Sequence, residues 1–422
     1  MLEDSLSAST PVVTESGGRQ IFAGLRVLDL SRWVSGEFCT KHFGDFGADV
    51  IKVEKPGEGS LTRRLGPFPD DVPDREKSAL FLHLNINKRS ISLDFSSATG
   101  RELLLRIAAK ADLIVESFRP GTLERHDLGP EVLHTLNPRV VITRISAFGQ
   151  TGRYRDYEAT GLVLQAMGGP MNATGAADRP PHRKPGFLEH YTIGRMAAEA
   201  SLAGLFAVRK SGRGAVVDVS GMEVLLAGAD RRAPYLLTAA YAGVNAPRGV
   251  RSPHRGGSTF AGAFQCRDGY VVMYVTNPEF WSRFVDLVGE DNQEFRSTYR
   301  TRFDFDSAEE ASKFEETART WFARHSKFEV MQRAQAARIP LTAVFDIGEV
   351  FENPHFRERG FFVRAEHPMA GALEYLGPPW RMRGGWQLRH TAPLLGADTM
   401  PILEELGLDL NAAQSLRGEG VI

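Results

Sequence analysis

The sequence predicts an α/β protein with a mostly parallel sheet and a second, smaller α+β domain. Three observations carry this. Short apolar runs suited to buried strands alternate with segments of helical spacing from residue 25 to residue 229. A basic, glycine-rich stretch, APRGVRSPHRGG (246–257), then interrupts the alternation, and the texture changes after it. Finally, 422 residues are too many for one ordinary core and suit about two domains.

The elements follow in order. LRVLDL (25–30) reads as a strand buried on both faces, and GEFCTKHFGDFG (36–47) as a helix with Phe38, His42 and Phe46 at helical spacing. ADVIKVE (48–54) closes a β-α-β unit. SISLDF (90–95) is a third strand, and Ser97 or Thr99 caps the helix ELLLRIAAKA. ADLIVES (111–117) and RVVITRISAF (139–148) continue the strands. A long helix is expected from 193 to Lys210, stopped by Gly212 and built mostly from small residues, with the pair Glu189-His190 just before it. AVVDVS (215–220) reads as a strand and MEVLLAGA (222–229) as a helix.

Beyond the 246–257 linker, AFQCRDGYVVMYV (263–275) reads as a hairpin with Asp268-Gly269 as its turn, followed by helices near 278–289 and 307–323. The expected organisation is a flexible tail at 1–20, a large domain at 21–245, the linker, a small domain at 258–345, and a segment at 346–422 of turns, short strands and an acidic helix.

Composition narrows the function. Apolar residues are 42% and charged residues 24%, ordinary for a soluble globular chain. A net charge of -1 gives no global reason to expect nucleic acid or an acidic membrane as partner. The polar start, MLEDSLSASTPVVTESGGRQ, lacks the basic and apolar regions of a signal peptide, and no apolar run reaches the roughly 20 residues needed to span a bilayer. Cys39 and Cys266 stand far apart, so neither a disulfide framework nor a metal site is expected, and a cytoplasmic location fits.

Motifs remove further classes. SRWVSG follows the first strand, without the G-x-G-x-x-G that lets a backbone approach a pyrophosphate, which argues against a dehydrogenase. No Walker-type loop, H-E-x-x-H or G-x-S-x-G elbow occurs. The basic loops RPPHRK (179–184) and 246–257 read as solvated segments.

Several strings, taken together, carry a resemblance. ADVIKVEKPGEG, LNINKRSISLDF, DLIVESFRPGTLER, RISAFGQTG, KSGRGAVVDVSGMEVL, PHFRERGFF and APLLGADT, in that order, resemble the class III CoA-transferases, the superfamily that also holds the α-methylacyl-CoA racemases. The resemblance spans residues 24 to 408. It implies a Rossmann-like large domain built from both termini, a smaller central domain, and an interlaced homodimer. It implies coenzyme A, carried as acyl-CoA, and a carboxylic acid as substrates, with no metal. Matching by segment, coenzyme A contacts would come from Trp33, Val34, Ser35, Lys55, Leu93, Asp94, Phe95, Ser117, Phe118 and Arg125. Lys55 and Arg125 suit phosphates, and Phe118 offers a face to the adenine. QAMGG (165–169) matches a segment near the acyl end of the site.

In that family an aspartate before the small-residue helix attacks the thioester, giving a mixed anhydride and then an aspartyl-CoA thioester from which the acceptor acid collects coenzyme A. Counting back from KSGRG, that position falls on His190, with Glu189 one residue earlier and no aspartate between Asp178 and Asp218. Three readings stay open. Glu189 is the nucleophile, or His190 is an acid-base group of an acyl-CoA isomerase or racemase, or the chain is an incomplete subunit of a heteromer whose homologous partner supplies the aspartate.

Overall fold

The computed structural model describes residues 19–227 apart from 173, 176 and 177, then 237, 239–243, 260–301 apart from 276, 305, and 307–422. Residues 1–18 of the expected tail and the expected linker at 246–257 lie outside the described residues. The chain divides into two compact units, Met1–Gly249 with Arg357–Ile422, and Val250–Phe356.

The first unit is organised by one sheet. Its strands are β1 (Arg26–Asp29), β2 (Asp49–Glu54), β3 (Lys88–Ser92), β4 (Leu113–Glu116), β5 (Val141–Ser146) and β6 (Ala215–Ser220). They pair in the order β3-β2-β1-β4-β5-β6, every pair parallel. This is the doubly wound order, whose direction of winding reverses between β1 and β4. The inner strands β1, β2, β4 and β5 carry apolar residues on both sides because both faces there are covered, whereas β3 is mostly polar and the edge strand β6 is half exposed. Leu28, Ile51, Ile91, Ile114 and Ile142 join one core, while Val27, Val50, Leu113, Val115 and Val141 join the other.

The helices that matter for the site are α1 (Val34–Asp45), α2 (Ala79–Leu84), α3 (Ala98–Ala108), α4 (Thr122–Arg125), α5 (Pro130–Leu136), α6 (Gly161–Met167), α7 (Leu188–Ser211) and α8 (Gly221–Ala227). Ser97 caps α3 through its hydroxyl. The α3 face of the sheet is completed by C-terminal residues, with Ile402, Leu403, Ala413, Leu416 and Val421 in the same core as Leu103, Leu104 and Ile107. The Asp94 N–H donates to the Val421 carbonyl at 2.8 Å.

The other face carries α1 and α7. The long helix begins at Leu188, five residues before the expected start, so Glu189 and His190 sit in its first turn rather than in a loop ahead of it. Its small residues serve close approach within the chain. A Cβ at Gly194 would stand 2.4 Å from the Ser35 carbonyl oxygen, and one at Gly204 would stand 2.9 Å from a Val141 methyl. Ser201 meets Thr143 at 2.7 Å.

In the second unit, β7 (Phe260–Cys266), β8 (Gly269–Val275) and β9 (Leu341–Ala343) form an antiparallel sheet. Cys266 pairs with Gly269, so the hairpin turn is Arg267-Asp268, one residue earlier than expected. Helices Pro278–Val288 and Ala308–Arg324 bury Trp281, Phe284, Phe314 and Phe322 against it. Among the described residues no helix is long and apolar enough to cross a membrane.

Candidate active site

A cavity of about 580 Å³ opens where the winding of the large sheet reverses. Trp33 and Ser35, beyond β1, form one wall; Ser117 and Phe118, beyond β4, form another; Ser146 and Ala147 continue it beyond β5. A crevice outside the carboxyl ends of the strands at this reversal is where open α/β sheets bind ligands. His190 and Ile193 of α7 and Gly161 and Leu164 of α6 close the inner end, and Arg119, Arg125 and Arg155 border the cavity with Asp156 and Glu158.

The β1 wall is fixed by buried charge. Asp29 accepts hydrogen bonds from the Ser31 N–H and hydroxyl, from Thr40 at 2.6 Å and from Lys88 at 3.0 Å. Lys52 donates to the Ser31 carbonyl and contacts Glu37, both at 3.0 Å. All four charged side chains are fully buried. Burial alone would raise the Asp29 carboxyl, yet Lys52, Lys88 and the two hydroxyls hold it down at about 2. Gly36 follows because a Cβ there would stand 2.2 Å from that of Ser31. These contacts leave the Ser31–Ser35 turn one shape.

The β4 wall is pinned similarly. Glu116 accepts from the Phe118 N–H at 2.7 Å and from Arg144 at 2.8 Å. Burial outweighs the arginine here and pushes the Glu116 carboxyl up. Phe118 packs edge-on to Phe95 at 5.8 Å.

At the inner end, Trp33 Nε1 donates to His190 Nε2 at 3.1 Å, and Ser35 Oγ lies 2.9 Å from His190 Nδ1. Burial lowers the His190 pKa to about 4, so the ring is neutral near pH 7. Glu189 is 6% exposed and its Oε2 accepts from Gln165 Nε2 at 2.8 Å. The Gln165 amide is itself oriented, accepting from the Lys184 N–H at 2.8 Å and donating to the Lys184 carbonyl at 3.2 Å. Glu189 Oε1 lies 3.8 Å from His190 Nε2 and against Gly161, where a Cβ would fall 1.9 Å from it.

Of the residues expected at the site, Trp33, Ser35, Ser117, Phe118, Arg125 and His190 come together around the cavity. Glu189 lies behind Gly161 rather than in the lining. The side chains of Val34 and Leu93 are buried in the core, at 0% and 1% exposure, which leaves only their backbone atoms for contact with a ligand. Lys55 is half exposed and pairs with Glu58, Asp94 bonds Ser96, and Phe95 reaches the cavity only through Phe118. In QAMGG it is Gln165 that reaches the carboxylate, while Gly168 makes room for α8, a Cβ there standing 3.0 Å from that of Leu225. Sequence reasoning did not name Arg119, Arg155 or Tyr157 among the residues around the cavity. Arg119 stands inside the quoted string SFRPG, whereas 155–160 carry no periodicity that could have marked them. Among the described residues no cluster of three metal-ligating side chains occurs.

A match to CoA-transferase family III extends over residues 22–399. The chain belongs to that family. Among relatives of CoA-transferase family III, the succinyl-CoA–D-citramalate CoA-transferase of Chloroflexus aurantiacus is 30% identical, over 94% of this chain and 97% of that one. Subunit BbsE of the succinyl-CoA:(R)-benzylsuccinate CoA-transferase of Thauera aromatica is 29% identical, over 92% and 95%. A crystal structure of a CaiB/BaiF family protein from Brucella suis superposes with a TM-score of 0.79 at 25% identity, covering 92% of this chain and all of that one. The fold of this family III chain is therefore that of a solved CaiB/BaiF protein.

Proposed function

We propose that this family III chain moves coenzyme A from an acyl-CoA donor to a carboxylic acid, with Glu189 as nucleophile. The observation that supports it is the Glu189 carboxylate directly behind Gly161 of the cavity lining, one oxygen held by Gln165 and the other beside His190 and Gly161. Arg119, Arg125 and Arg155 suit the anionic nucleotide end of the donor, and Phe118 offers it an aromatic face. Because Trp33 donates to His190 Nε2, no imidazole proton lies between that ring and Glu189 Oε1, and the carboxylate keeps its lone pairs.

The steps balance without a further reagent. Glu189 Oε1 attacks the thioester carbonyl, the C–S bond breaks, and a mixed anhydride and coenzyme A thiolate result. The thiolate attacks the glutamyl carbonyl, releasing the donor acid and leaving a glutamyl-CoA thioester. An acceptor carboxylate attacks that thioester, and the thiolate then takes the acceptor acyl group and returns Glu189 as carboxylate. Incubation with acyl-CoA followed by hydroxylamine or borohydride, read by peptide mass spectrometry, tests this. A mark on Glu189 is expected, and no mark together with no exchange overturns it.

The acid-base reading of His190 loses support from the same hydrogen bond, since its lone-pair nitrogen is already capped by Trp33. An incomplete subunit remains the second reading, favoured by the position of Glu189 behind Gly161. Assembly as an interlaced homodimer, or with a homologous subunit, belongs to the same proposal. Light scattering and an exchange assay on the purified chain alone separate the two, because a self-sufficient active homodimer removes the need for a partner.

A further inference from the structure

The proton on the His190 ring has one available place. An indole N–H can only donate, so the nitrogen that receives it, Nε2, carries the lone pair. The ring is neutral, so its single proton sits on Nδ1 and is donated to Ser35 Oγ, 2.9 Å away. A hydroxyl that accepts there still has its own proton to place. A serine in a first helical turn can turn that proton to the carbonyl four residues back, but the Ser31 carbonyl receives Lys52, and Ser35 makes no bond to it. Ser35 is 5% exposed and lines the cavity, so the free direction of its O–H is into the cavity.

We infer that Ser35 donates a hydrogen bond to the thioester carbonyl oxygen of the bound acyl-CoA, with Trp33 and His190 as the positioning residues that turn its proton into the cavity. This rests on the proposed reading of the cavity as the acyl-CoA site. Trp33, His190 and Ser35 form a one-way chain of donors. Negative charge that grows on the carbonyl oxygen as the carbonyl is attacked strengthens its last link, and the proton stays on Ser35 throughout.

The test compares acyl-CoA with its thioether analogue, in which a methylene replaces the carbonyl. Binding is measured in the full chain carrying Glu189→Gln, so that no covalent transfer intervenes. Acyl-CoA is expected to bind about five- to tenfold tighter than the thioether, in keeping with one hydrogen bond to a neutral acceptor. Adding Ser35→Ala should erase that preference and Ser35→Thr should keep it, while thioether affinity stays within about twofold in both. Nitrogen-15 shifts of labelled histidine in the unliganded wild-type chain should report the Nδ1–H form of His190, and Trp33→Phe should release the ring to a mixture of tautomers. An Nε2–H form in the wild type, or a preference that survives Ser35→Ala, overturns the inference and leaves the transfer reading standing. Absence of binding by either compound removes the cavity reading and the inference with it.

Discussion

Trp33 and His190, 157 residues apart in the chain, are joined by an indole-to-imidazole hydrogen bond of 3.1 Å. It ties the turn after β1 to the first turn of α7, and the Gly194 approach to Ser35 one helical turn later holds the same two elements together. The cavity wall and the Glu189 carboxylate are thus set by one junction.

Substituting the nucleophile separates chemistry from binding. Glu189→Gln should lower kcat for coenzyme A transfer by about 10³-fold or more, with acyl-CoA affinity changed less than about threefold. Steady-state exchange kinetics and calorimetric titration read the two quantities.

Arg125 borders the cavity and bonds Thr122 at 3.0 Å. Arg125→Ala should raise KM for acyl-CoA by about 10-fold or more, the scale of a lost charge-assisted hydrogen bond, with little change in kcat. The KM difference should shrink as salt is added.

Gly194→Ala places a methyl group 2.4 Å from the Ser35 carbonyl oxygen, a backbone atom that the Lys52 and Asp29 contacts with Ser31 keep from moving freely. Overpacking of this kind costs about 1–3 kcal/mol. Urea unfolding should show it, and transfer activity should fall as the α1–α7 junction opens.

Burial lowers His42 and His190 to about 4 and His83 to about 3, all below the free value of 6.5. Between those values the unfolded chain binds more protons than the folded one, so stability rises with pH across this window. The contribution is complete above about pH 6.5 and is lost as pH falls toward 4, with His190 alone worth up to about 3 kcal/mol. Thermal unfolding followed from pH 7 to pH 4 should show a steep fall, reduced in His83→Asn.

The sheet was readable in the sequence because buried parallel strands carry short continuous apolar runs, as in LRVLDL and the Leu-Ile-Val of ADLIVES. The start of α7 was not. No side chain caps it at Phe187, and Pro185-Gly186 mimics a break, so its polar first turn reads as loop. The hairpin turn slipped by one residue because Asp-Gly is a strong turn pair, whereas here the glycine already pairs with Cys266. At the site, string matching named residues on two strand ends, those of β1 and β4, that meet at the cavity. It could not separate Ser35, which faces the cavity, from Val34 beside it, which faces the core. The hydrogen bond from Trp33 to His190 depends on how α1 and α7 pack and leaves no mark in the local pattern.

The C-terminal cover on the α3 face has a bearing on biosynthesis. Leu28, Ile51 and Ile114 emerge early from the ribosome, but Ile402, Leu403, Leu416 and Val421, which seal the same core, emerge long after them. During translation that side of the nascent sheet is covered only in part, by α3 and its neighbours, a standing invitation to chaperones and to aggregation until α3's distant partners arrive.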